Sequence, residues 1–591
     1  MTKKINNIGL ILLALCVLAT VGYFCFLVKD TVLACHDSVM EYINARVNGW
    51  KNGYGYGMEY SLARGKVGLI FPAVIMFRFM VNGSGNYTAI WLLQYIPVFA
   101  NVALLSVFFC KKVHKAAGLF FALFFFSFLQ LDIWHCLITC YPLDFMYGLF
   151  LMNSALWLFL EYQEKKGEYR NAARLAASLI LYYESLQVYE AFIVASLVYA
   201  AITFCFAIKR KGGIRYFIGS LIPHFIVSVV YIAILAYLRS HPVVDIAVSS
   251  IDSHVDVKRA ARTCYEFSTG MFPLKDIRVV PSVKNLFLEP VHSKKLFAFT
   301  AAAGLGGLLA TLLSWNEFRT LDRKERKETC LMLLATAAGG CLVAVSFPLP
   351  HSLIPSYQDW VVAGAAGGYL PTTISYFGWS VAIVSAALIV ICLLSAVKSV
   401  NILTALGICA VFAAGSFITA NINLIFRNVE SFAGAYMSVK FRTLYDIFRD
   451  DHLDENGITY FYVPAYIGVH GNIETDETLA EVEAGYDVEL VNTLEGNEML
   501  LQDNESRYIL YDADAHVALI LDVEDYTEDE SEWLASSVYI FSCEECDYDV
   551  LLTYEDATQT VVRVHAEAGR ITPVEDDQTV SAVAIDAYYA R

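Results

Sequence analysis

Two acidic residues near the start of the chain have the spacing of a catalytic pair. Asp37 and Glu41 lie four residues apart and directly follow the first apolar segment. If this stretch is helical, both carboxylates lie on one helix face. A carboxylate in this position can deprotonate an acceptor hydroxyl, or hold a divalent cation such as Mg²⁺ or Mn²⁺ against a phosphate. We interpret Asp37 and Glu41 as candidate catalytic residues and Asp37 as a candidate metal ligand.

A glycine- and tyrosine-rich stretch, residues 52–60, follows this pair. Tyr54 and Tyr56 belong to a flexible aromatic segment that could stack on a sugar ring. Arg64 and Lys66 come next, and basic side chains of this kind pair with phosphate. The alternative for residues 34–66 as a whole is an ordinary loop at the membrane surface, with a helix cap and contacts to lipid head groups.

Further polar residues stand at the ends of later apolar segments. They are Asp132, His135, Asp144, Glu184, Gln187 and Glu190. Ionisable groups at membrane depth are costly and usually functional, and Glu184 lies nearly a full turn inside its apolar run. Each residue alone could simply meet water. Their shared depth and side predict one external pocket, in which His135, Glu184, Gln187 and Glu190 bind substrate.

Other patterns are weaker. Asp252, His254 and Asp256 could ligate a metal only if their segment is extended. Residues 348–375 hold His351, Tyr357 and Trp360 and could form a re-entrant helix lining the same pocket. Cys543 and Cys546 form a C-x-x-C pair without two further ligands at zinc-site spacing, so a structural disulfide or free thiols are favoured over zinc and redox sites.

The composition indicates what must position these side chains. Of 591 residues, 57% are hydrophobic and only 17% are charged, whereas soluble domains carry about 25% charged residues. A soluble enzyme, a nucleic-acid-binding protein and a disordered chain are therefore excluded. Apolar runs long enough to span a bilayer predict eleven helices. They lie near 8–28, 87–110, 116–131, 142–160, 172–187, 190–208, 216–238, 296–314, 329–347, 376–397 and 401–426.

Charge sets the predicted orientation. With the N-terminus inside, every cytoplasmic loop is rich in Lys and Arg, as the positive-inside rule requires. The apolar segment 67–81 holds Pro72 and Arg78. We interpret it as re-entrant or interfacial, because a crossing there would invert all later loops. We interpret the first span as an uncleaved anchor. External loops are then 29–86, 239–295 and 348–375, and function is expected on the outer face of a cell membrane.

The two parts of the chain differ in charge. Residues 451–591 contain 34 Asp and Glu against four Arg and no Lys, a net charge of −30, and residues 1–450 carry +13. The sequence predicts a membrane body over 1–430 and an acidic, extracytoplasmic, β-rich domain over 446–591. Eight short β-rich runs separated by turn formers favour a β-sandwich or a similar fold.

This plan resembles the GT-C superfamily of polytopic glycosyltransferases. An N-in first span leads to a long external loop with an early acidic residue, Asp37, followed by a non-spanning helix, many spans and an external domain. It is similar to protein mannosyltransferases, oligosaccharyltransferases, aminoarabinose transferases and O-antigen glucosyltransferases over about residues 1–430. In these families the acidic residue often belongs to an Asp-Asp or Asp-Glu pair, whereas here it stands in His36-Asp37-Ser38. The Arg64-Gly65-Lys66 element loosely resembles their phosphate-binding basic residues.

The resemblance implies transfer of a sugar from a polyprenyl-phosphate donor to a glycan, lipid or protein acceptor at the cell surface. Asp37 would be the general base, and Arg64, Lys66 or a divalent cation would stabilise the lipid-phosphate leaving group. No nucleic-acid partner is expected. Three alternatives stay open: a carrier of lipid-linked glycans, a non-enzymatic surface sensor or scaffold, and a polysaccharide polymerase or ligase using Arg259, Arg262 and His254. Motifs of ATP-driven transport are absent from the sequence.

Overall fold

The structure is a computed structural model. It describes residues 2–29, 36–63, 65–131, 137–139, 144–165, 171–210, 213–241, 256–275, 277, 293–364, 368–397, 401–428, 447, 460–463, 477–479, 481–482, 485, 487–491, 506–512, 517–525, 534–542, 545–574 and 579–586.

The described residues up to position 428 mainly form helices. In chain order they are α1 (Thr2–Leu27), α2 (His36–Ala63), α3 (Ile70–Gly83), α4 (Tyr87–Lys112), α5 (Lys115–Phe128), α6 (Asp144–Glu164), α7 (Asn171–Val188), a 3₁₀ turn (Glu190–Val194), α8 (Ala195–Lys209), α9 (Gly213–Ser240), α10 (Val257–Thr269), α11 (Ser293–Arg319), α12 (Arg323–Ser346), α13 (Leu349–Ser352), α14 (Pro355–Val362), α15 (Leu370–Leu394) and α16 (Asn401–Asn428).

A helix forms at each of the eleven places where the sequence predicts a span. Within the described ranges, eight helical stretches are long and apolar enough to cross a membrane, as in a multi-pass membrane protein. The other three are α5, which has 14 residues, and α6 and α7, which end in polar turns. The segment expected not to cross forms the 14-residue helix α3.

Polar contacts tie the basic helix ends to one another. The Lys112 ammonium at the end of α4 lies 2.5 Å from Glu164 at the end of α6. Arg210, at the end of α8, donates to the Gln163 carbonyl, and Tyr216, near the start of α9, donates to the Gln163 side chain at 2.5 Å. Three of the Lys- and Arg-rich turns that the sequence assigns to the cytoplasm, those after α4, α6 and α8, therefore lie together.

The opposite helix ends form a second group. The Trp91 indole at the start of α4 donates to the Val28 carbonyl after α1, at 3.1 Å. Tyr147, near the start of α6, donates to the Leu93 carbonyl at 3.3 Å, and the Phe145 ring lies 4.6 Å from the ring of Tyr189 after α7. Because α4 runs from this group to the basic one, the two groups mark opposite faces of the helical body.

Contacts divide the chain into two compact units. The first comprises Met1–Val32 and Asn48–Ala433, and the second Leu33–Val47 and Gly434–Arg591. The first part of α2, which carries the predicted catalytic pair, thus groups with the C-terminal residues. Within that unit the Arg46 guanidinium donates to the Val482 carbonyl at 3.3 Å. The division within α2 falls between Val47 and Asn48. The next residue, Gly49, kinks the helix with a φ of 68°, in a region of backbone space that glycine adopts easily.

The C-terminal residues form a mixed sheet. Its strands are β1 (Tyr460–Tyr462), β2 (Glu489–Val491), β3 (Ser506–Asp512), β4 (Val517–Asp525), β5 (Leu534–Ser542), β6 (Cys546–Tyr554), β7 (Gln559–Ala566), β8 (Ile571–Pro573) and β9 (Val580–Asp586). The strand order is β2-β1-β3-β4-β5-β9-β6-β7, with β8 beside β5. β1 runs parallel to β2 and β3, and the remaining described pairs are antiparallel.

Eight of these strands coincide with the predicted β-rich runs, and β8 is additional. Strands β5 and β9 join through a single pair, Ala535 and Val580. Side chains from β1–β5 and from β6–β9 nevertheless share one hydrophobic cluster that includes Leu519, Ile540 and Leu552. Cys546 carries a free thiol, and Cys543 lies outside the described residues.

Candidate functional site

Lys66 is buried at the centre of a polar cluster in the helical body. Its residue is only 5% exposed, although lysine is almost never this buried unless it is paired. The ammonium donates to the Val188 carbonyl at 3.0 Å and to Glu190 Oε2 at 2.8 Å. It also lies 5.6 Å from the centre of the Phe71 ring. The end of α7 and the turn after it thus compensate a charge that burial would otherwise disfavour.

Glu190 joins this lysine to a second cation. Its Oε1 accepts from Arg239, at the end of α9, at 3.1 Å. The Lys66 side chain is 6% exposed, whereas those of Glu190 and Arg239 are 42% and 35% exposed. Two cations therefore share the Glu190 carboxylate. Because Arg239 is the more accessible of the two cations, it is the one that an incoming anion would reach first.

Glu184 and Gln187 attach the segment before α3 to the end of α7. The N-cap residue of α3, Leu69, has no side chain that could accept the free N–H groups of the first turn. The Glu184 carboxylate instead accepts the backbone N–H groups of Leu69 and Ile70 at 3.0 and 2.9 Å, and the Gln187 side chain accepts that of Val67 at 2.7 Å. A carboxylate at a helix N-terminus satisfies unpaired donors and interacts favourably with the helix dipole.

Gly68 allows this attachment. A Cβ atom at this position would lie 2.6 Å from the Gln187 side chain and 2.7 Å from the Glu184 carboxylate. Such distances are too short for real contacts, so a larger residue would push the 66–70 segment away from α7. The glycine therefore contributes to the position of Lys66 two residues earlier.

An aromatic wall adjoins the cluster. The Tyr189 hydroxyl, next to Glu190 in the chain, hydrogen-bonds the His351 imidazole of α13. The His351 ring stacks on Tyr357 of α14 at 5.8 Å. The Tyr357 ring lies 4.6 Å from Tyr369 and 5.0 Å from Trp360, and the two tyrosine hydroxyls are 3.3 Å apart. Tyr189, His351 and Tyr369 are only 6–7% exposed. The half-buried Tyr357 and Trp360 are therefore the rings of this wall on which a sugar could stack.

The comparisons with known proteins give one structural likeness. No protein-family model and no curated protein matches the sequence. Among solved structures, the chain is similar to the apo oligosaccharyltransferase of Archaeoglobus fulgidus, at 12% sequence identity over 91% of this chain and 74% of that one. The TM-score is 0.28. A score this low establishes no common fold and carries no argument about function.

The structure brings together four of the sequence-predicted site residues: Lys66, Glu184, Gln187 and Glu190. Glu41 is half-buried in α2 and belongs to the other compact unit. The side chains of Asp37, Tyr54 and Tyr56, and the whole of Arg64 and His135, lie outside the described residues. Their predicted roles stay predictions.

Arg239 and Tyr369 are members of the site that sequence reasoning missed. Arg239 looks like an ordinary basic residue at the end of an apolar helix, and only its ion pair with Glu190 distinguishes it. Within the described ranges, no group of three His, Cys, Asp or Glu side chains could hold a metal ion. The predicted cation ligand, Asp37, is outside them, so the divalent cation also stays a prediction.

Proposed function

We propose that this protein is a membrane glycosyltransferase of the GT-C type. It would move a sugar from a polyprenyl-phosphate donor to a glycan, lipid or protein acceptor on the outer face of a cell membrane. The proposal includes eleven spans, an N-terminus inside, an extracytoplasmic acidic domain over 446–591, and a membrane body over 1–430. The grouping of basic helix ends on one face supports this arrangement.

The observation that carries the proposal is that the polar cluster of Lys66, Glu190 and Arg239 lies next to the aromatic wall. Lys66 and Arg239 share the Glu190 carboxylate, and the Arg239 side chain is 35% exposed, so its guanidinium is placed to pair with a phosphate. Tyr189 follows directly on α7, and its bond to His351 links the cluster to the aromatic wall. A sugar phosphate has the same two parts, an anionic group and a ring that stacks on aromatic faces.

In the proposed reaction the acceptor hydroxyl attacks the anomeric carbon. The bond between this carbon and the phosphate oxygen breaks, and polyprenyl phosphate leaves. Asp37 takes the hydroxyl proton as general base, with Glu41 beside it on α2. Arg64, Lys66 and Arg239 stabilise the charge that develops on the leaving phosphate. Tyr54 and Tyr56 cover the sugar, and His135 and Glu190 orient the substrates.

Glu184 and Gln187 have a different part in this proposal. Both are buried, and their oxygen atoms accept backbone N–H groups of the 67–70 segment. They therefore act as positioning residues, which hold Lys66 in place through the loop, rather than touching the substrate.

The test is turnover of radiolabelled polyprenyl-phosphate sugars by the purified protein. Asp37→Asn should abolish transfer, because it removes the base. Arg239→Gln should raise KM for the donor roughly tenfold or more while changing kcat less, since a charged hydrogen bond contributes about 1.5–3 kcal/mol. Glu328→Gln, a change of an exposed carboxylate on α12, is the control. Full transfer by Asp37→Asn would disprove the assigned base, and an unchanged donor KM in Arg239→Gln would disprove the phosphate site.

A carrier of lipid-linked glycans is the second candidate, and one observation favours it. The buried face of α9 is polar, comprising Ser220, His224, Ser228 and Tyr231. Ser228 lies 3.0 Å from the Tyr182 hydroxyl, and His224 lies 3.2 Å from that of Ser178. Polar groups inside a bundle can line a pathway. Movement of labelled lipid-linked sugar across proteoliposomes, without sugar transfer, would favour the carrier over the enzyme.

A further inference from the structure

An apolar groove lies beside α10, apart from the polar cluster around Lys66. It has a volume of about 1150 Å³ and lies between α10, the end of α12 with α13, and α15. Ala261 and Cys264 line one side, Val345 and Leu349 another, and Trp379 a third. Val345 and Leu349 are 46% and 44% exposed, so the groove opens to the surroundings of the helical body.

Several polar groups along this groove are paired within the protein. The Ser268 hydroxyl donates to the Ala344 carbonyl at 2.9 Å, and the Trp379 indole donates to the Ser268 carbonyl at 2.8 Å. The Lys275 ammonium lies 2.8 Å from Glu266. A ligand in the groove would therefore meet hydrocarbon surface and few open hydrogen-bonding groups. This lining suits an alkyl chain and disfavours a sugar.

The residues of α10 lie on three faces that differ in their surroundings, with residues three or four positions apart on the same face. Ala260, Thr263 and Phe267 are buried in the body. Val257 and Tyr265 face the groove and are 76% and 62% exposed. The third face carries Lys258 and Arg262, one turn apart, and the structure shows no ion pair between either of them and the residues it describes. A helix with these faces is typical of a membrane interface.

The body of α10 separates the groove from the aromatic wall. The Phe267 ring, on the buried face, lies 5.8 Å from Tyr369 and 6.4 Å from Tyr357. Arg259 pairs with Asp359 of α14 at 2.5 Å, which fixes the helix against that wall. A lipid in the groove, with its phosphate at Lys258 and Arg262, would thus lie across α10 from Tyr357 and Tyr369. This favours a resident lipid over a reacting substrate.

We propose that this groove binds an anionic phospholipid of the surrounding bilayer. One acyl chain lies along Ala261, Val345 and Trp379. The phosphate is held by Lys258 and Arg262, which border the groove on the side of Tyr265. Two adjacent cations suit the phosphate of such a lipid, and the apolar groove beside them suits its acyl chain.

The test is a lipid titration of the full-length protein in detergent micelles, followed by native mass spectrometry. Phosphatidylglycerol and phosphatidylcholine of equal chain length are compared as probes. The unchanged protein should retain phosphatidylglycerol preferentially. Lys258→Gln with Arg262→Gln should weaken its retention roughly tenfold and remove the preference. Ala261→Trp, which fills the groove from an exposed position, should weaken retention of both lipids.

A matched control is Arg323→Gln with Lys327→Gln, an exposed basic pair of the same spacing at the start of α12. It should keep the preference for phosphatidylglycerol. The proposal is overturned if the α10 double variant keeps the preference, or if the control loses as much. It is also overturned if a polyprenyl phosphate displaces phosphatidylglycerol and Ala261→Trp abolishes that competition, because the groove would then belong to the substrate.

Discussion

At the scale of residues, the organising feature is a carboxylate shared by two cations of unequal exposure. The buried Lys66 contacts one oxygen of Glu190, and the partly exposed Arg239 contacts the other. Breaking a buried ion pair by removing one partner is strongly destabilising, so Glu190 contributes to stability whatever its chemical role. Arg239 is therefore the residue at which binding and stability can be separated by experiment.

Glu184→Ala tests the attachment of the 66–70 segment. The substitution leaves the N–H groups of Leu69 and Ile70 without their carboxylate acceptor. We expect a loss of about 1–3 kcal/mol, measured as a lower thermal unfolding midpoint of the purified protein in detergent. Glu328→Ala removes an exposed carboxylate and should leave the midpoint unchanged. Equal midpoints for Glu184→Ala and the unchanged protein would show that the attachment does not contribute to stability.

His565 of the C-terminal sheet should titrate above the ordinary histidine range. Its hydrogen bond to Asp547, at 2.8 Å, raises the pKa, with Glu545 and Glu567 adding to the effect. Arg563 on the same strand faces the same aspartate. A raised folded-state pKa means that this stabilisation is present below pH 6.5 and is lost as the pH rises through the folded-state value.

NMR titration of ¹³C-labelled histidine in the full chain measures this pKa directly. Asp547→Asn should lower it toward 6.5, the ordinary value for histidine. Asp556→Asn, at an exposed turn beyond the end of β6, should leave it unchanged. A His565 pKa at or below 6.5 in the unchanged protein would disprove the interaction with Asp547.

Sequence reasoning reached part of the site. Lys66 could be recognised as a basic residue that suits a phosphate. Glu184, Gln187 and Glu190 could be recognised because polar groups at membrane depth are costly and usually functional. Arg239 could not, since its meaning depends on a partner 49 positions away in the chain. Likewise, nothing local shows that both oxygen atoms of Glu184 serve backbone donors of another helix.

At the scale of elements, small residues decide how closely the helices approach. In the pair α12 and α15, a Cβ atom at Gly340 would lie 2.6 Å from the Gly378 carbonyl, and the reverse distance is also 2.6 Å. Helices in membranes associate through such close backbone contacts, because burial of apolar surface gives little driving force there.

Gly340→Ala should therefore destabilise the protein. The added methyl meets backbone, which cannot move aside as a flexible side chain can, and overpacking of this kind costs about 1–3 kcal/mol. The neighbouring Gly339→Ala is a matched control, because nothing lies within 4 Å of its Cβ position, and alanine favours helix by about 1 kcal/mol. In detergent, the thermal unfolding midpoint of Gly340→Ala should be lower than that of the unchanged protein, and the midpoint of Gly339→Ala should be higher. The same midpoint for both would show that this contact is not tight.

The apolar pattern predicted where the helices lie better than it predicted which of them are long. α5 ends at Phe128, before the predicted limit of its span, because the pattern continues into Leu129 and Leu131 although the helix does not. β8 has three residues, Ile571–Pro573, too few for an alternating pattern to be visible. Boundaries of this kind are set by contacts, as with Asn423, which binds the backbone of Leu129 and Leu131 from α16.

At the scale of the whole molecule, the helical body and the C-terminal residues carry charges of opposite sign. The chain has a net charge of −17, yet this value describes neither part of it. Basic residues gather at one set of helix ends, at Lys112, Arg210 and Arg326. The C-terminal 141 residues contain no lysine. Because positive residues are retained in the cytoplasm, this asymmetry bears directly on orientation.

The orientation can be tested with two introduced cysteines. Asp556→Cys lies at the exposed turn after β6, and Glu328→Cys lies at the basic start of α12. Three predicted spans separate them, so they should lie on opposite sides of the membrane. With the N-terminus inside, a membrane-impermeant maleimide should label Asp556→Cys in intact cells and Glu328→Cys only after permeabilisation, above the background of the unchanged protein. Labelling of Glu328→Cys alone in intact cells would reverse the orientation, as a crossing by α3 would require. Labelling of both would mean that the number of spans between them is even.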